Sequence, residues 1–253
     1  MLETRSTEPE YLDSADCDPE LANESYRFME KVNRHFGGIS NVRRFIESEI
    51  KKIGPGSTLR VLDIGSGNCD IPIAICRWAE SKGFNVHFTC LEIFDPALAL
   101  AKRNIESAGI RSIDILREDV FKHHPAEPYD CAVSSMCFHH FKDGDILRLV
   151  GILRGSVKGG ILINDLRRSH FAWLGAFILT RFSHPGVRHD AMQSVKRGFK
   201  VCELRRLLLK DENNSVKVRR AWFFRVNAVV RSENTSQFQN TRNGHGKHDP
   251  PSA

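Results

Sequence analysis

Apolar residues follow two rhythms along this chain, and the rhythms alternate. Short runs of strand length, each with a polar side chain at or next to its end, occur at residues 60–64, 88–93, 113–120, 129–135 and 160–166. Between them, over 97–108 and 144–157, apolar positions return every three or four residues, with Leu147, Val150 and Leu153 on one face. Continuous short runs predict buried strands, and the wider spacing predicts amphipathic helices. Strands separated by helices pair in parallel through right-handed crossovers, so the pattern predicts an α/β fold. Upstream, Asp18-Pro19-Glu20 offers a cap and a first-turn proline to a helix bearing Leu21, Tyr26, Phe28, Met29, Val32 and Phe36, which Gly37-Gly38 stops. A second helix is predicted over 41–52, with Val42, Phe45, Ile46 and Ile50 inward. Downstream, a helix over 199–209 precedes a period-two alternation, Val216 and Val218, then Val226, Ala228 and Val230. That alternation predicts an antiparallel hairpin, 216–222 with 224–231, as the sixth and seventh strands.

The first strand carries the most informative stretch, Arg60-Val61-Leu62-Asp63-Ile64-Gly65-Ser66-Gly67-Asn68-Cys69-Asp70. Its glycines allow a sharp turn and a close approach to a ligand where a Cβ would collide. The helix that follows opens free N–H groups toward the same crevice. A dinucleotide fingerprint reads G-x-G-x-x-G; here position 69 is Cys rather than Gly, and Asp63 precedes the glycines. A carboxylate there repels a pyrophosphate and attracts an ammonium group. Glu92 closes the second strand at the distance where nucleotide-binding folds place an acid against ribose hydroxyls, and Asp119 follows the third.

The stretch resembles motif I of the class I S-adenosylmethionine-dependent methyltransferases, D/E-x-G-x-G-x-G, through Asp63, Gly65 and Gly67, with the third glycine missing. The order and spacing of the elements resemble that family's core over residues 58–170. The resemblance implies a Rossmann-like seven-stranded sheet, parallel with an antiparallel C-terminal hairpin, with helices on both faces and an N-terminal helical cap. It implies S-adenosylmethionine as cofactor and Asp63, Gly65, Ser66, Gly67, Glu92, Ile93, Asp119, Val120 and Ser135 as its binding residues. Asp119 would face the adenine amino group, and Val120 would offer its backbone N–H to the ring. The two N-terminal helices resemble the cap that many small-molecule methyltransferases fold over the cofactor; inert packing on the sheet edge is the alternative.

Methyl transfer from a sulfonium is an in-line displacement that needs an oriented acceptor, sometimes a base, and in principle no metal. His139 and His140 follow the fourth strand, where ligands of open α/β sheets bind. Their setting, Phe138-His139-His140-Phe141, resembles methyltransferases of quinone and polyketide tailoring. One of the pair is the candidate base; capping a helix or stacking on the cofactor is the other role open to them. Asp165, beside Asn164 at the end of the fifth strand, is placed to orient a histidine or to contact the substrate. Arg188, His189 and Asp190 form a weaker second set, and His123-His124 reads as a solvated pair. No His, Cys, Asp or Glu spacing matches a zinc site, so no metal is expected.

Composition bounds the setting. Hydrophobic residues make up 41% of 253 and mean hydropathy is −0.34, which suits a globular chain. No run approaches a membrane span, the longest being 171–179, and the N-terminus does not resemble a signal peptide. Seven cysteines without a C-x-x-C pair predict reduced thiols and a cytoplasmic location. Three parts are expected: an acidic loose arm with the helical cap over 1–56, the cofactor domain over 57–231, and a disordered tail over 232–253. The insertion at 167–198 holds Phe171, Trp173, Leu174, Phe177, Ile178, Leu179 and Phe182, which suit a lid over a hydrophobic acceptor or a core helix. Residues 154–231 carry 17 Lys and Arg against 5 Asp and Glu, whereas residues 1–153 carry 18 against 24. Such a basic half fits nucleic acid, an anionic membrane surface, an acidic substrate or plain solvation.

The leading expectation is methyl transfer to oxygen, or to an activated carbon, of a hydrophobic and aromatic or polyketide-like small molecule of secondary metabolism. An RNA or protein methyltransferase is the alternative, and a cofactor-binding homologue without catalysis, suggested by Cys69, is a third. Ser134-Ser135-Met136-Cys137 stands where amino-methylating enzymes carry N/D-P-P-Y/F, and no RNA-binding module is appended. Nucleic acid is therefore not expected as a partner, peripheral membrane contact is left open, and the sequence sets no oligomeric state.

Overall fold

The computed structural model describes residues 2–14, 17–212 and 214–232. The predicted tail beyond residue 232 lies outside them. Seven strands, β1 (Thr58–Ile64), β2 (Asn85–Glu92), β3 (Ile113–Arg117), β4 (Cys131–Ser135), β5 (Ile161–Leu166), β6 (Asn214–Ala221) and β7 (Arg225–Ser232), form one sheet in the order β3-β2-β1-β4-β5-β7-β6. β7 alone runs against its neighbours, β5 and β6. β1 is central, with Val61 paired to Phe88 on one side and to Cys131 on the other. The chain leaves β1 toward β2 and β3, then crosses back to β4. The reversal opens a crevice beyond the carboxyl ends of β1 and β4.

The alternation along β1 builds two cores. Leu59 and Val61 face one layer with Phe88, Ile75 and Phe45; Leu62 and Ile64 face the other with Phe138, Leu149 and Phe199. The helices are α1 (Pro19–His35), α2 (Gly38–Ile50), α3 (Asp70–Ser81), α4 (Asp95–Ala108), α5 (Asp143–Ser156), α6 (His170–Leu179), α7 (Pro185–Arg197) and α8 (Val201–Leu208). Asp18 caps α1 by accepting the Glu20 N–H, with Pro19 in the first turn. α2 begins earlier than its periodicity suggests because no loop separates it from α1. Gly37, at φ +87°, precedes α2 directly, and a Cβ on Gly38 would lie 2.6 Å from Asn33 Cα.

The N-terminal arm is not loose. Leu2 is buried, and residues 11–13 form a 3-10 turn. Arg5 donates to Asp143 Oδ1 (2.8 Å) and to the carbonyls of His139 (3.1 Å) and Phe141 (2.9 Å), with its guanidinium over the Phe199 ring. Gln193 of α7 donates to Ser6 Oγ and the Glu8 carbonyl, both at 2.8 Å. Side chains far along the chain thus satisfy backbone groups of a segment that has no periodicity of its own.

Candidate active site

The turn after β1 is built around its glycines. Gly65 and Gly67 sit at φ +64° and +56°; a Cβ on Gly65 would lie 2.5 Å from Cys137 Sγ, and one on Gly67 would lie 3.1 Å from the Tyr26 ring. Glu92 braces the turn. Its Oε2 accepts from Gly67 N–H at 2.9 Å, and Oε1 accepts from Ile93 and Phe94 N–H at 2.8 and 2.9 Å. Asp119 Oδ1 accepts from Phe121 N–H at 3.0 Å, and Ser135 Oγ accepts from Asn164 Nδ2 at 3.0 Å.

A cavity of about 390 Å³ opens at this point. Asp63, Gly65, Ser66, Gly67, Glu92, Ile93, Asp119, Val120 and Ser135 all line it, so the structure brings these nine predicted positions together. α1 contributes Tyr26, Met29 and Asn33 to the wall, and the N-terminal arm contributes Leu12 and Asp13. Those five were not marked as site residues, and the arm's share had no local signal.

The cavity is anionic. Asp13, Asp63, Asp70, Glu92, Glu118 and Asp119 line it, and no Lys or Arg does among the described residues. Burial raises the Asp63 carboxyl to about 8, with Asp70 and Glu92 adding repulsion against the Ser66 hydrogen bond. Burial likewise raises Asp70 to about 6, although Asn33 Nδ2 donates to both its oxygens at 3.1–3.2 Å. A phosphate would meet repulsion from these carboxylates. A cation would relieve it.

The two histidines after β4 lie together in a 3-10 turn, Phe138–His140. His139 and Asp165 do not line the cavity; of the two roles open to Asp165, the geometry shows the orienting one, toward His139. His139 is 2% exposed, with Nδ1 2.7 Å from Asp165 Oδ1 and Nε2 3.6 Å from Glu10 Oε1. Burial opposes its charge, but the Asp165 and Glu10 carboxylates outweigh it and lift the imidazole to about 9. His139 is therefore a buried imidazolium at neutral pH. Because this pKa lies above the unfolded value of about 6.5, its contribution is full below that pH and is lost toward pH 9. Replacing His139 by Gln is expected to remove a decline of about 2–3 kcal/mol in unfolding free energy over that window. Urea titrations of both proteins across the range test this; parallel pH profiles would refute it.

His140, one residue on, lines the cavity. Its Nδ1 lies 2.8 Å from Asp13 Oδ1, and Asp13 also accepts from Arg197 Nη1. Burial raises the Asp13 carboxyl, but His140, Arg197 and the Glu10 N–H hold it well below the usual range. Ligand atoms of Glu10, His139 and His140 lie within 4.8 Å of one another, a cluster that no sequence spacing revealed. Arg197 Nη1 lies 3.6 Å from the same Glu10 oxygen, so a metal there would face a guanidinium as well as a protonated imidazole.

Other expectations change. His123 is buried between Glu118 (3.0 Å) and the Tyr129 hydroxyl (3.0 Å), so it is no solvated residue. Arg188, His189 and Asp190 do not reach the cavity; Asp190 instead accepts the N–H groups of Tyr11 and Leu12, at 2.8 and 3.0 Å, and so anchors the arm. No residue of α6 lines the cavity and only Ala172 of it is buried, so this helix is neither a lid over the cavity nor a core helix. All seven cysteines are free.

Residues 61–160 match the family described as "Methyltransferase domain". No curated protein matches the chain. Among solved structures it is similar to the plantazolicin methyltransferase BpumL in complex with SAH (TM-score 0.64, 15% identity, 88% of this chain and 93% of that one). It is also similar to the plantazolicin methyltransferase BamL (TM-score 0.63, 18% identity, 92% and 83%). The magnesium protoporphyrin IX methyltransferase ChlM from Synechocystis PCC 6803 with bound SAM shares the fold at lower similarity (TM-score 0.51, 13% identity, 77% and 78%). Residues 61–160 thus carry a methyltransferase domain, and the chain shares the fold of methyltransferases solved with SAM or SAH bound.

Proposed function

We propose that this enzyme transfers a methyl group to an oxygen of a hydrophobic small molecule, with His140 as the base and Asp13 as its positioning partner. The observation that supports it is the pairing of His140 with Asp13 on the wall of the cation-attracting cavity. S-adenosylmethionine supplies an electrophilic methyl on a sulfonium. Asp63 would meet its ammonium group, and the turn at Gly65, Ser66 and Gly67 would give its amino-acid portion room. Glu92 would hold the ribose, although three backbone N–H groups already occupy its carboxylate. Ile93, Asp119, Val120 and Ser135 would hold the adenine. His140 would take the proton of a phenol or enol hydroxyl as the acceptor oxygen gains the methyl and the cofactor leaves as the neutral thioether, and Asp13 would fix the imidazole and balance its charge. Leu12, Met29, Met136 and Phe141 line the same cavity and suit an apolar acceptor.

Plantazolicin is the substrate named for BpumL and a porphyrin that for ChlM; both support a small-molecule acceptor for this chain. The RNA or protein alternative loses support from the structure. Arg225, counted toward a nucleic-acid face, is fully buried and donates to Asn33 and the Phe36 carbonyl. Arg168 and Arg231 are likewise held, by Glu203 and Glu49. The test is transfer of labelled methyl to phenolic and enolic acceptors of graded hydrophobicity, with transfer RNA and histone as rival acceptors. Product is expected only on the small molecules and at oxygen by mass spectrometry. Labelled RNA or protein would reverse the reading.

A further inference from the structure

The most apolar helix of the molecule is also among its most exposed. α6 presents Phe171 (74% exposed), Leu174 and Ile178 along one stripe, and Phe182 just beyond it is 94% exposed. Trp222 and Phe223, in the turn between β6 and β7, are exposed as well. The turn sits against α6: Gly175 faces the Phe224 ring, and Arg167 N–H donates to the Phe224 carbonyl at 2.7 Å. These side chains make an apolar surface built from two separate parts of the chain. Solvent-facing apolar clusters of this kind mark a docking site.

The charge around the patch selects the partner. From Arg167 to His189 the sequence holds four arginines and no acidic residue. A groove at the start of α6 gathers Arg167, His170, Lys200, Arg205 and Arg220 beside Phe171, with Glu3 as its single carboxylate. Arg205 and Arg220 have no carboxylate partner among the described residues. Exposed aromatic and aliphatic tips ringed by arginine match a lipid interface, where apolar side chains enter the headgroup boundary and cations meet anionic lipid. A second copy would bring the same positive charge against this one. A nucleic acid would satisfy the arginines but leave the apolar stripe against water.

We propose that α6 and the β6–β7 turn dock this enzyme on an anionic membrane surface. No helix of the described residues is long and apolar enough to cross a membrane, so the contact is peripheral. α6 packs on α7, and α7 packs on α1 and on the 3-10 turn of the arm. The docking face therefore lies one helix away from the walls of the cavity. The proposal does not depend on the acceptor chemistry, because vesicle binding needs neither cofactor nor turnover.

The full chain is to be sedimented with vesicles of phosphatidylcholine alone and of phosphatidylcholine mixed with phosphatidylglycerol. Binding is expected to the mixed vesicles and to weaken as salt rises. F171S/I178S and R205Q/R220Q are each expected to lower vesicle affinity roughly tenfold or more. Their thermal unfolding and S-adenosylmethionine affinity should be unchanged, since these side chains touch neither core nor cavity. Absence of binding to mixed vesicles at low salt would overturn the proposal, as would equal binding by both variants. A concentration-dependent dimer that F171S/I178S dissociates would place a second copy on this face. Salt-sensitive RNA binding lost in R205Q/R220Q, without vesicle binding, would assign it to nucleic acid.

Discussion

Replacement of Asp63 by Asn is expected to raise the stability of the enzyme and abolish its use of cofactor. Asp63 ends the central strand, is almost fully buried, and shares its cavity with Asp70 and Glu92. Folding carries its carboxyl from an ordinary value to about 8. At pH 7 the folded protein must therefore keep a proton that the unfolded chain releases, which works against the native state. Removing the titrating group should recover about 2–4 kcal/mol, roughly 5–10 °C in Tm for a chain of this size. The same substitution takes away the charge that a bound ammonium would meet, and losing one partner of a buried charge pair costs about 2–5 kcal/mol of affinity. Binding should also depend on pH in a defined sense. The ionised carboxylate is the form that receives a cation, so affinity of the natural protein should rise toward pH 8, with a proton released below it. Calorimetry in buffers of different ionisation enthalpy reads that proton, and Asp63→Asn should silence it. A variant that binds S-adenosylmethionine normally, or that unfolds at a lower temperature, would remove Asp63 from this role.

His140→Ala should lower kcat by about 10²–10⁴-fold, the range of a lost general base. Cofactor affinity should stay within about threefold, because His140 is not among the proposed cofactor contacts. The acid limb of the kcat profile against pH should disappear with the imidazole. Asp13→Asn is expected to lower kcat less, since the imidazole survives but loses the carboxylate that orients it and stabilises its protonated form. Asp13 also holds Arg197, so thermal unfolding of the Asn variant must be followed alongside. If His140→Ala retains its rate and its pH profile while remaining folded, acceptor positioning alone carries the reaction. His139→Gln separates the neighbours: it should shift stability with pH and leave the acid limb of kcat in place.

Much of the architecture was legible because it is written locally. The strand of residues 60–64, the glycines at 65 and 67, and the helix after them form one continuous segment. The turn demands glycine at those positions because their backbone is left-handed and Cys137 and Tyr26 close over them. The start of α1 is similarly local, since the Asp18 carboxylate bonds two residues away. Strand alternation and helix periodicity then fix which faces meet, and connection rules leave few ways to order the sheet.

What the sequence by itself determined, then, was the strands of the sheet, the glycine turn and the acids at the strand ends, all written in patterns a few residues long. Only the tertiary structure decided the fates of His139 and His140. Their ring centroids stay 4.2 Å apart, but His139 bonds Asp165 and faces Glu10, whereas His140 bonds Asp13 and lines the cavity. Glu10 and Asp13 belong to an arm without periodicity, held by Gln193, Ser194, Arg197 and Asp190 from α7. No local pattern announces such bonds. α6 shows the complementary limit: its composition announces an apolar surface, but whether core, cavity or solvent meets it depends on the packing of α7 and the β6–β7 turn. The raised carboxyl of Asp63 has the same origin, because a pKa records burial and neighbouring charge, and both exist only once the chain has folded.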